Sequence, residues 1–298
     1  MMSAIRPVRK AVLPVAGFGT RVLPATKTVP KEMLPVVDRP ALQYVVDEAL
    51  AAGIEHIVFV TGRNKGAIED YFDIAYELED TLVAKGKDAI LAQVKATVRE
   101  AGTMSFVRQQ AAKGLGHAIW CARDIIGDEA FAILLPDVLI QSETGCLTQM
   151  MEAYNTVGGN IIAVDAVPVE RVSSYGVIAP MSGKEARDGK LIKMSGMVEK
   201  PAQADAPSNL KITGRYILQP EVMDVLKHQA AGAGGEIQLT DAMATLMESQ
   251  PFHAFEYEGE DFDCGTKLGY FEAVCAYAAE HPEIGGPAKM VMRDFGHG

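Results

Sequence analysis

Apolar residues fall along this chain in two rhythms. Ala11–Val15, Ile57–Val60, Met104–Arg108, Phe131–Leu135 and Ile161–Val167 are short apolar runs bounded by polar or glycine-containing segments. Such runs predict buried β-strands. Phe131–Leu135 is the most apolar of them and is expected at the centre of a sheet. Between the runs, apolar positions recur at helical spacing. Leu42, Val45, Val46 and Ala49 predict a helix over Ala41–Ala52 that Gly53 ends. Ile68, Tyr71, Phe72, Ala75 and Leu78 predict one continuous helix over Gly66–Leu82, and a charged helical excursion follows over Ala84–Ala101. Further helices are expected at Ala118–Ile126, after a glycine loop at Gln110–His117, and at Gly145–Val157. Strands and helices alternating in this order are the grammar of a parallel sheet with helices packed on it.

After about residue 168 the texture changes. Gly176–Pro180, Leu191–Glu199 and Lys211–Leu218 are short strand-like segments separated by polar loops, so a β-rich portion is added to the parallel sheet. A helix over Pro220–Ala231 follows, then one that Thr240-Asp241 caps. Phe252–Tyr257 predicts a strand, Phe262–Gly265 a turn, and Leu268–Glu280 a helix before a tail with one short helix. There is no internal repeat and no low-complexity linker, so the expected fold is one continuous α/β unit over residues 1–298.

Composition narrows the function. At 298 residues the chain can bury a large core. Its 28 basic and 39 acidic residues give a net charge of −11, which argues against a nucleic-acid partner. Any anionic ligand must then be met by local clusters of positive charge. No apolar run is long enough to span a bilayer, and Met1–Lys10 has no apolar stretch suited to secretion. Cys121, Cys146, Cys264 and Cys275 are scattered, with no CxxC pair and no zinc-like spacing. No membrane association and a cytoplasmic protein with reduced thiols are therefore expected.

The densest useful positive charge lies just after the first strand. Gly17-Phe18-Gly19-Thr20-Arg21 leads through Lys27 to Pro30-Lys31-Glu32. Pro24, Pro30 and Pro35 keep the stretch irregular. The third glycine of a dinucleotide fingerprint is absent, since Val22 stands there, and no Gly-Lys-Ser/Thr of a P-loop follows. Two glycines alone fit a tight turn as well as a ligand loop. Arg21, Lys27 and Lys31 in the same segment favour phosphate. Asp137 follows the most apolar strand, where ligands gather in open parallel sheets. Residue type alone leaves it either a turn acid or a carboxylate that holds Mg²⁺ against phosphate. Asp263 has the same two readings, with Glu260 and Asp261 beside it. Lys200, at a strand end before Pro201, can meet a second anion. Gly214 permits close approach of a ligand, and Arg215 follows it. His117 reads as a structural hydrogen-bonding residue.

These stretches resemble the sugar-1-phosphate nucleotidyltransferases, and among them the bacterial UTP–glucose-1-phosphate uridylyltransferases. The resemblance is carried by Gly17-Phe-Gly-Thr-Arg21, Leu23-Pro-Ala-Thr-Lys27, Pro30-Lys-Glu-Met-Leu-Pro35, Lys113-Gly-Leu-Gly-His117, Leu135-Pro-Asp137, Val198-Glu-Lys-Pro201, Gly214-Arg-Tyr216 and Asp263-Cys-Gly-Thr-Lys-Leu-Gly-Tyr270. It runs in one order over roughly residues 10–280, while Thr61–Lys65 and the tail after His281 depart from the pattern.

The resemblance implies a Rossmann-like nucleotidyltransferase fold with a mostly parallel central sheet, helices on its faces and an added β-rich sugar-binding part. Nucleotide binding would occupy about 8–168, sugar binding about 169–264 and a C-terminal helical region 265–298. The implied reaction joins UTP and glucose 1-phosphate into UDP-glucose and pyrophosphate, with Mg²⁺ as cofactor and a homo-oligomer (dimer or tetramer) as the working form. Ala16, Gly17, Gly19, Thr20, Gln110 and Gly116 would meet the nucleotide, with Glu32 close by. Arg21 and Lys31 would lie on the triphosphate, and Asp137 and Asp263 on the metal. Gly176, Glu199 and Gly214 would contact the sugar, and Lys200 its phosphate. Arg21, Lys31, Asp137 and Lys200 would carry catalysis. Relatives using dTTP or another sugar phosphate, and a non-catalytic nucleotide-sugar-binding subunit, are the competing readings.

Overall fold

In a computed structural model the chain is described over residues 5–183 and 186–296. The first four residues of the amino-terminal stretch read for a leader lie outside that range. The apolar run at the start forms β1 (Val8–Pro14). An irregular loop of three single 3₁₀ turns follows, Thr20–Val22, Ala25–Lys27 and Lys31–Met33. Two short strands, β2 (Pro35–Val36) and β3 (Arg39–Pro40), pair with each other and lead into α1 (Ala41–Ala51). β4 (His56–Thr61) comes next.

The helix expected over Gly66–Leu82 is two, α2 (Gly66–Tyr71) and α3 (Tyr76–Ala84). Ile68 and Phe72 are buried, but Leu78 is exposed, so the apolar face does not continue across the break. Asp73 closes the turn by accepting the Ile74 N–H on its own carboxylate. α4 (Asp88–Lys95) packs back on α3, and β5 (Met104–Arg108) follows. α5 begins at Leu115, earlier than expected, and runs to Cys121, with α6 (Arg123–Ile126) after it.

β6 (Ala130–Leu134) is wholly buried. β7 (Val138–Gln141), which the apolar pattern did not mark, precedes α7 (Cys146–Val157) and β8 (Asn160–Ala166). The later strands are β9 (Gly176–Pro180), β10 (Arg187–Asp188), β11 (Leu191–Glu199) and β12 (Leu210–Leu218). α8 (Val222–His228) and α9 (Leu239–Leu246) follow. Thr240 is not the cap of α9: Gln238 stands there, and the Thr240 hydroxyl donates to Glu199 instead. After β13 (Phe252–Glu256) comes the strand β14 (Glu260–Asp263), so of the segment Phe262–Gly265 read as a turn only Cys264-Gly265 is one. α10 (Lys267–Glu280) is capped by Thr266, which accepts from the Gly269 N–H, and α11 (Gly285–Gly296) is longer than the short tail helix expected.

Among the described residues ten strands make one sheet, in the order β10-β11-β13-β8-β12-β6-β1-β4-β5 with β9 against β11 and β12. β6, β1, β4 and β5 run parallel, as do β8 and β13, while β12 is antiparallel to both β6 and β8. The β-rich portion thus extends the same sheet. Both faces are covered. Leu13, Phe59 and Leu134 point into one apolar cluster with Leu42 and Tyr154. Val12, Val60 and Ile133 point into the other with Ile119 and Met243. That alternation is the period of two expected of strands between two layers. Among the described residues no helix is long and apolar enough to cross a membrane.

Candidate active site

β1 has β4 on one side and β6 on the other, so the chain order reverses there. The carboxyl ends of strands at such a reversal frame a ligand crevice. The glycine loop leaves the end of β1 and Asp137 follows β6, so one place receives both.

The loop is shaped by Lys31. Its stem lies against Gly17 and Gly19: a Cβ at Gly19 would sit 3.2 Å from Lys31 Cβ and 3.2 Å from Thr26 Cβ. Gly19 has a φ of 66°, and Thr26 Oγ1 donates to its carbonyl at 2.7 Å. Only glycine takes both the space and the left-handed backbone without strain. Lys31 Nζ then reaches Asp137 Oδ2 at 2.5 Å. Arg21 Nη2 lies 3.8 Å from the same oxygen, and its Nη1 3.5 Å from Asp263 Oδ2.

Asp263 arrives by pairing. β14 runs antiparallel to β7 with Asp263 opposite Val138, and the Cys264 N–H donates to the Asp137 carbonyl at 2.7 Å. The two carboxylates are therefore neighbours, 126 residues apart in sequence. Between them lies Gly265. A Cβ there would sit 2.5 Å from Arg21 Nη2, 2.8 Å from Asp263 Oδ1 and 3.0 Å from Asp137 Oδ2. The Gly265 N–H donates to Asp263 Oδ1 at 2.9 Å. Gly265 was seen in the sequence only as part of a motif, and its role needs the fold to be visible.

The charges respond to one another. Burial favours the neutral form of Asp137, yet the Lys31 ammonium outweighs it and holds the carboxyl below its ordinary value. Burial likewise opposes the Lys31 charge, and Asp137 and Glu32 more than offset it, raising the amine. Asp263 is raised, first by burial and then by the Asp137 charge. The pair is thus unequal, one acid firmly ionised and the other easier to protonate.

One cleft of about 500 Å³ is lined by Arg21, Asp137 and Asp263 and also by Gly176, Glu199, Lys200 and Gly214 from the β-rich part. Glu199 Oε2 accepts from Thr240, and Gly176 leaves it room: a Cβ there would come within 3.0 Å of that oxygen. Lys200 is exposed, has a left-handed backbone at φ 46°, and keeps its Nζ 3.7 Å from Glu199 Oε1. Gly214, at φ 87°, sits where β12 slips register against β8, and its missing Cβ admits the Leu135 side chain.

The remaining expected residues lie elsewhere around the crevice. Ala16 packs under Gly62, and Thr20, Lys27 and Gln110 are exposed. Glu32 does not face the cleft as an open carboxylate: it is buried, with Lys65 Nζ 2.7 Å from its Oε2 and its Oε1 without a hydrogen-bond partner among the described residues. Lys65 comes from the Thr61–Lys65 stretch that departs from the family pattern, and nothing in the sequence signalled it. The amide of Gly116 is closed to a ligand, because it donates to the Ile237 carbonyl at 2.8 Å. Gly116 is glycine because a Cβ would strike Leu226 at 2.8 Å and Ile237 at 2.9 Å. His117 is structural, with its Nδ1 3.0 Å from Gln109 Nε2.

The donor set suits a hard divalent cation. Among the described residues no three His, Cys, Asp or Glu side chains gather as a complete cage. Two carboxylates meet over the position a Gly265 Cβ would take, beside the Arg21 and Lys31 cations. Mg²⁺ takes one or two carboxylates and fills the rest of its octahedron with water and phosphate oxygens.

A family model described as nucleotidyl transferase matches residues 10–280. A UTP–glucose-1-phosphate uridylyltransferase of Komagataeibacter xylinus is 53% identical over 89% of this chain and 92% of its own length. The solved structure of a UTP-bound UGPase from Acinetobacter baumannii superposes with a TM-score of 0.88 at 46% identity, covering 96% of this chain and 99% of that one. A UDP-glucose pyrophosphorylase complexed with UDP-glucose does so with a TM-score of 0.84 at 42% identity, covering 92% and 100%.

Proposed function

The chain belongs to the nucleotidyl transferase family, and on that premise we propose that it transfers a uridylyl group from UTP to α-D-glucose 1-phosphate, giving UDP-glucose and pyrophosphate. Relatives of this activity align over nearly the whole chain, and the solved relatives include one bound to UTP and one complexed with UDP-glucose. The observation that carries the reading onto this chain is the single cleft between the Arg21–Lys31–Asp137–Asp263 cluster and the Glu199–Lys200 strand end.

Both substrates are polyanions, so neutralising their approach is the main task. Arg21 and Lys31 would lie along the triphosphate, with Ala16, Gly17, Gly19 and Thr20 offering approachable backbone to the nucleotide. Glu32 and Gly116 would act from behind that surface, and Gln110 from its rim. Gly176, Glu199 and Gly214 would meet the sugar, and Lys200 would bring the sugar phosphate into line with the α-phosphorus. A bond then forms from the sugar phosphate oxygen to that phosphorus as the bond to the pyrophosphate oxygen breaks. The attacking oxygen is already ionised at neutral pH, so no general base is required, and catalysis is positioning plus charge stabilisation. Asp137 and Asp263 would hold Mg²⁺, which when bound supplies charge neutralisation on the phosphates.

The decisive assay mixes UTP and glucose 1-phosphate with the protein and reads pyrophosphate, with and without Mg²⁺. Metal-dependent release is expected, and less with dTTP or galactose 1-phosphate. Release from dTTP exceeding that from UTP would overturn the uridylyl assignment. Nucleotide binding without turnover would leave only a binding subunit. Lys200→Ala is expected to raise the KM for glucose 1-phosphate far more than that for UTP. The same reading includes a cytoplasmic enzyme with nucleotide part 8–168, sugar part 169–264 and helical end 265–298. It also includes a homo-oligomer, supported by exposed Leu268 and Phe271 on α10 and Val291 and Phe295 on α11. Sedimentation of a single 32.0 kDa species at micromolar concentration would remove the oligomer.

A further inference from the structure

One strand holds the residues that flank both acids of the proposed metal site. Arg215 on β12 is wholly buried. Its guanidinium engages Glu48 as a fork, with Nε 3.1 Å from Oε1 and Nη2 2.8 Å from Oε2. Its other N–H groups donate to the carbonyls of Leu135, at 3.1 Å, and Val138, at 2.9 Å. Those carbonyls bracket Pro136-Asp137, so a buried planar cation fixes the turn that presents Asp137. Lysine could not span the same four acceptors, because its ammonium is a single point.

Four residues earlier on the same strand, Lys211 does the corresponding work for Asp263. Its Nζ sits 2.8 Å and 2.6 Å from the two carboxylate oxygens of Asp261. The Tyr257 hydroxyl donates to the same carboxylate at 2.9 Å. Asp261 precedes Asp263 by two residues on β14, so both side chains leave the same face of that strand. The β7–β14 ribbon is only four residue pairs long and carries two like charges at its mouth. The two carboxylates repel, and the Lys31 and Arg21 charges that offset the repulsion come from the loop after β1, so nothing within the ribbon itself fixes their separation.

We propose that β12 is a brace, in which Arg215 and Lys211 are positioning residues that set the separation of Asp137 and Asp263 and thereby the affinity for a divalent cation. This rests on the nucleotidyl-transfer reading of the cleft. Groups that orient a metal's ligands change its affinity by about 10- to 100-fold when removed. A competing role exists for one half of the brace: Lys211 and Asp261 also line the cleft, where they could touch a sugar hydroxyl.

The test is Mn²⁺ binding to the full-length protein in the presence of UTP, read by titration calorimetry or by the electron paramagnetic resonance of free Mn²⁺. Two variants are compared with wild type. Lys211→Met with Asp261→Asn removes both charges together and strands neither. Arg215→Lys keeps a charge against Glu48 but loses the fork, and the double variant keeps the test open if it fails to fold. Both are expected to bind Mn²⁺ about tenfold or more weakly, with UTP affinity in the absence of metal and the KM for glucose 1-phosphate within about twofold of wild type. Unchanged Mn²⁺ affinity in folded variants would overturn the brace. So would a raised KM for glucose 1-phosphate with Mn²⁺ affinity intact, which would make Lys211–Asp261 a sugar contact. If wild type itself binds no Mn²⁺ with UTP and releases no pyrophosphate, the functional reading falls, a result distinct from either of these.

Discussion

At the scale of single residues, the site is made as much by missing side chains as by charged ones. Gly265 stands under Arg21, Asp137 and Asp263, and Gly19 under Lys31 and Thr26. Gly265→Ala is therefore expected to cost about 100-fold in kcat, the scale on which a displacement of about 1 Å is felt at a reacting centre. A Cβ that must push apart three functional groups should affect turnover before stability. A melting temperature near wild type with turnover intact would refute that placement. Of the charged residues, Arg21, Lys31, Asp137, Lys200 and Asp263 were legible as candidates because each stands at a strand end or in the irregular loop, though residue type alone left Asp137 and Asp263 two readings each. Lys65 and Gly265 were not. Lys65 matters only because Glu32 is buried against it, and Gly265 only because β14 pairs with β7. Neither fact is local in sequence.

At the scale of elements, periodicity served where one face stays buried from end to end. α1 and β11 lie where the pattern puts them, since Leu42, Val45, Val46 and Ala49 all enter the core. The helix expected over Gly66–Leu82 broke without a proline or glycine to announce it, at the turn closed by Asp73. α5 begins at Leu115 because Lys113 and Gly116 are hydrogen-bonded to Ile237, a partner far along the chain. That junction also carries a pH prediction. His117 sits in α5 with its Nδ1 against the Gln109 amide, and burial, then Lys113, lower its pKa. A lowered histidine binds fewer protons folded than unfolded, so its contribution is present above its ordinary value of 6.5 and is lost as pH falls through and below it. Melting temperatures taken from pH 7.5 down to 5 should fall, and His117→Gln should flatten that slope. An identical slope in the variant would take His117 out of the account.

At the scale of the whole molecule, two halves of different texture share one sheet, and the cleft lies where they meet. The antiparallel strand β12 between β6 and β8 is what joins them. The alternation of strand and helix made the parallel half legible, while the placement of β12 beside β6 depended on pairing that no sequence pattern reports. Because ligands would contact both halves, binding should stabilise the fold as a unit. At a ligand concentration of 100 times Kd the gain is about 2.7 kcal/mol. UTP with Mg²⁺ is expected to raise a single, still cooperative melting transition, and a transition that splits in two would show halves that unfold separately.

The Cys264–Asp137 backbone bond has a further consequence, for the order in which the protein comes into being. Asp137 is made early, the Arg215 that fixes its turn 78 residues later, and Asp263 126 residues after Asp137. A growing chain can bury β1, β4 and β6 while it still lacks the second acid. Every fragment that stops short of β14 should then bind nucleotide poorly with metal, however well its parallel half folds. Competence arrives all at once, only after Asp263 has been made and the last strand of the ribbon docks.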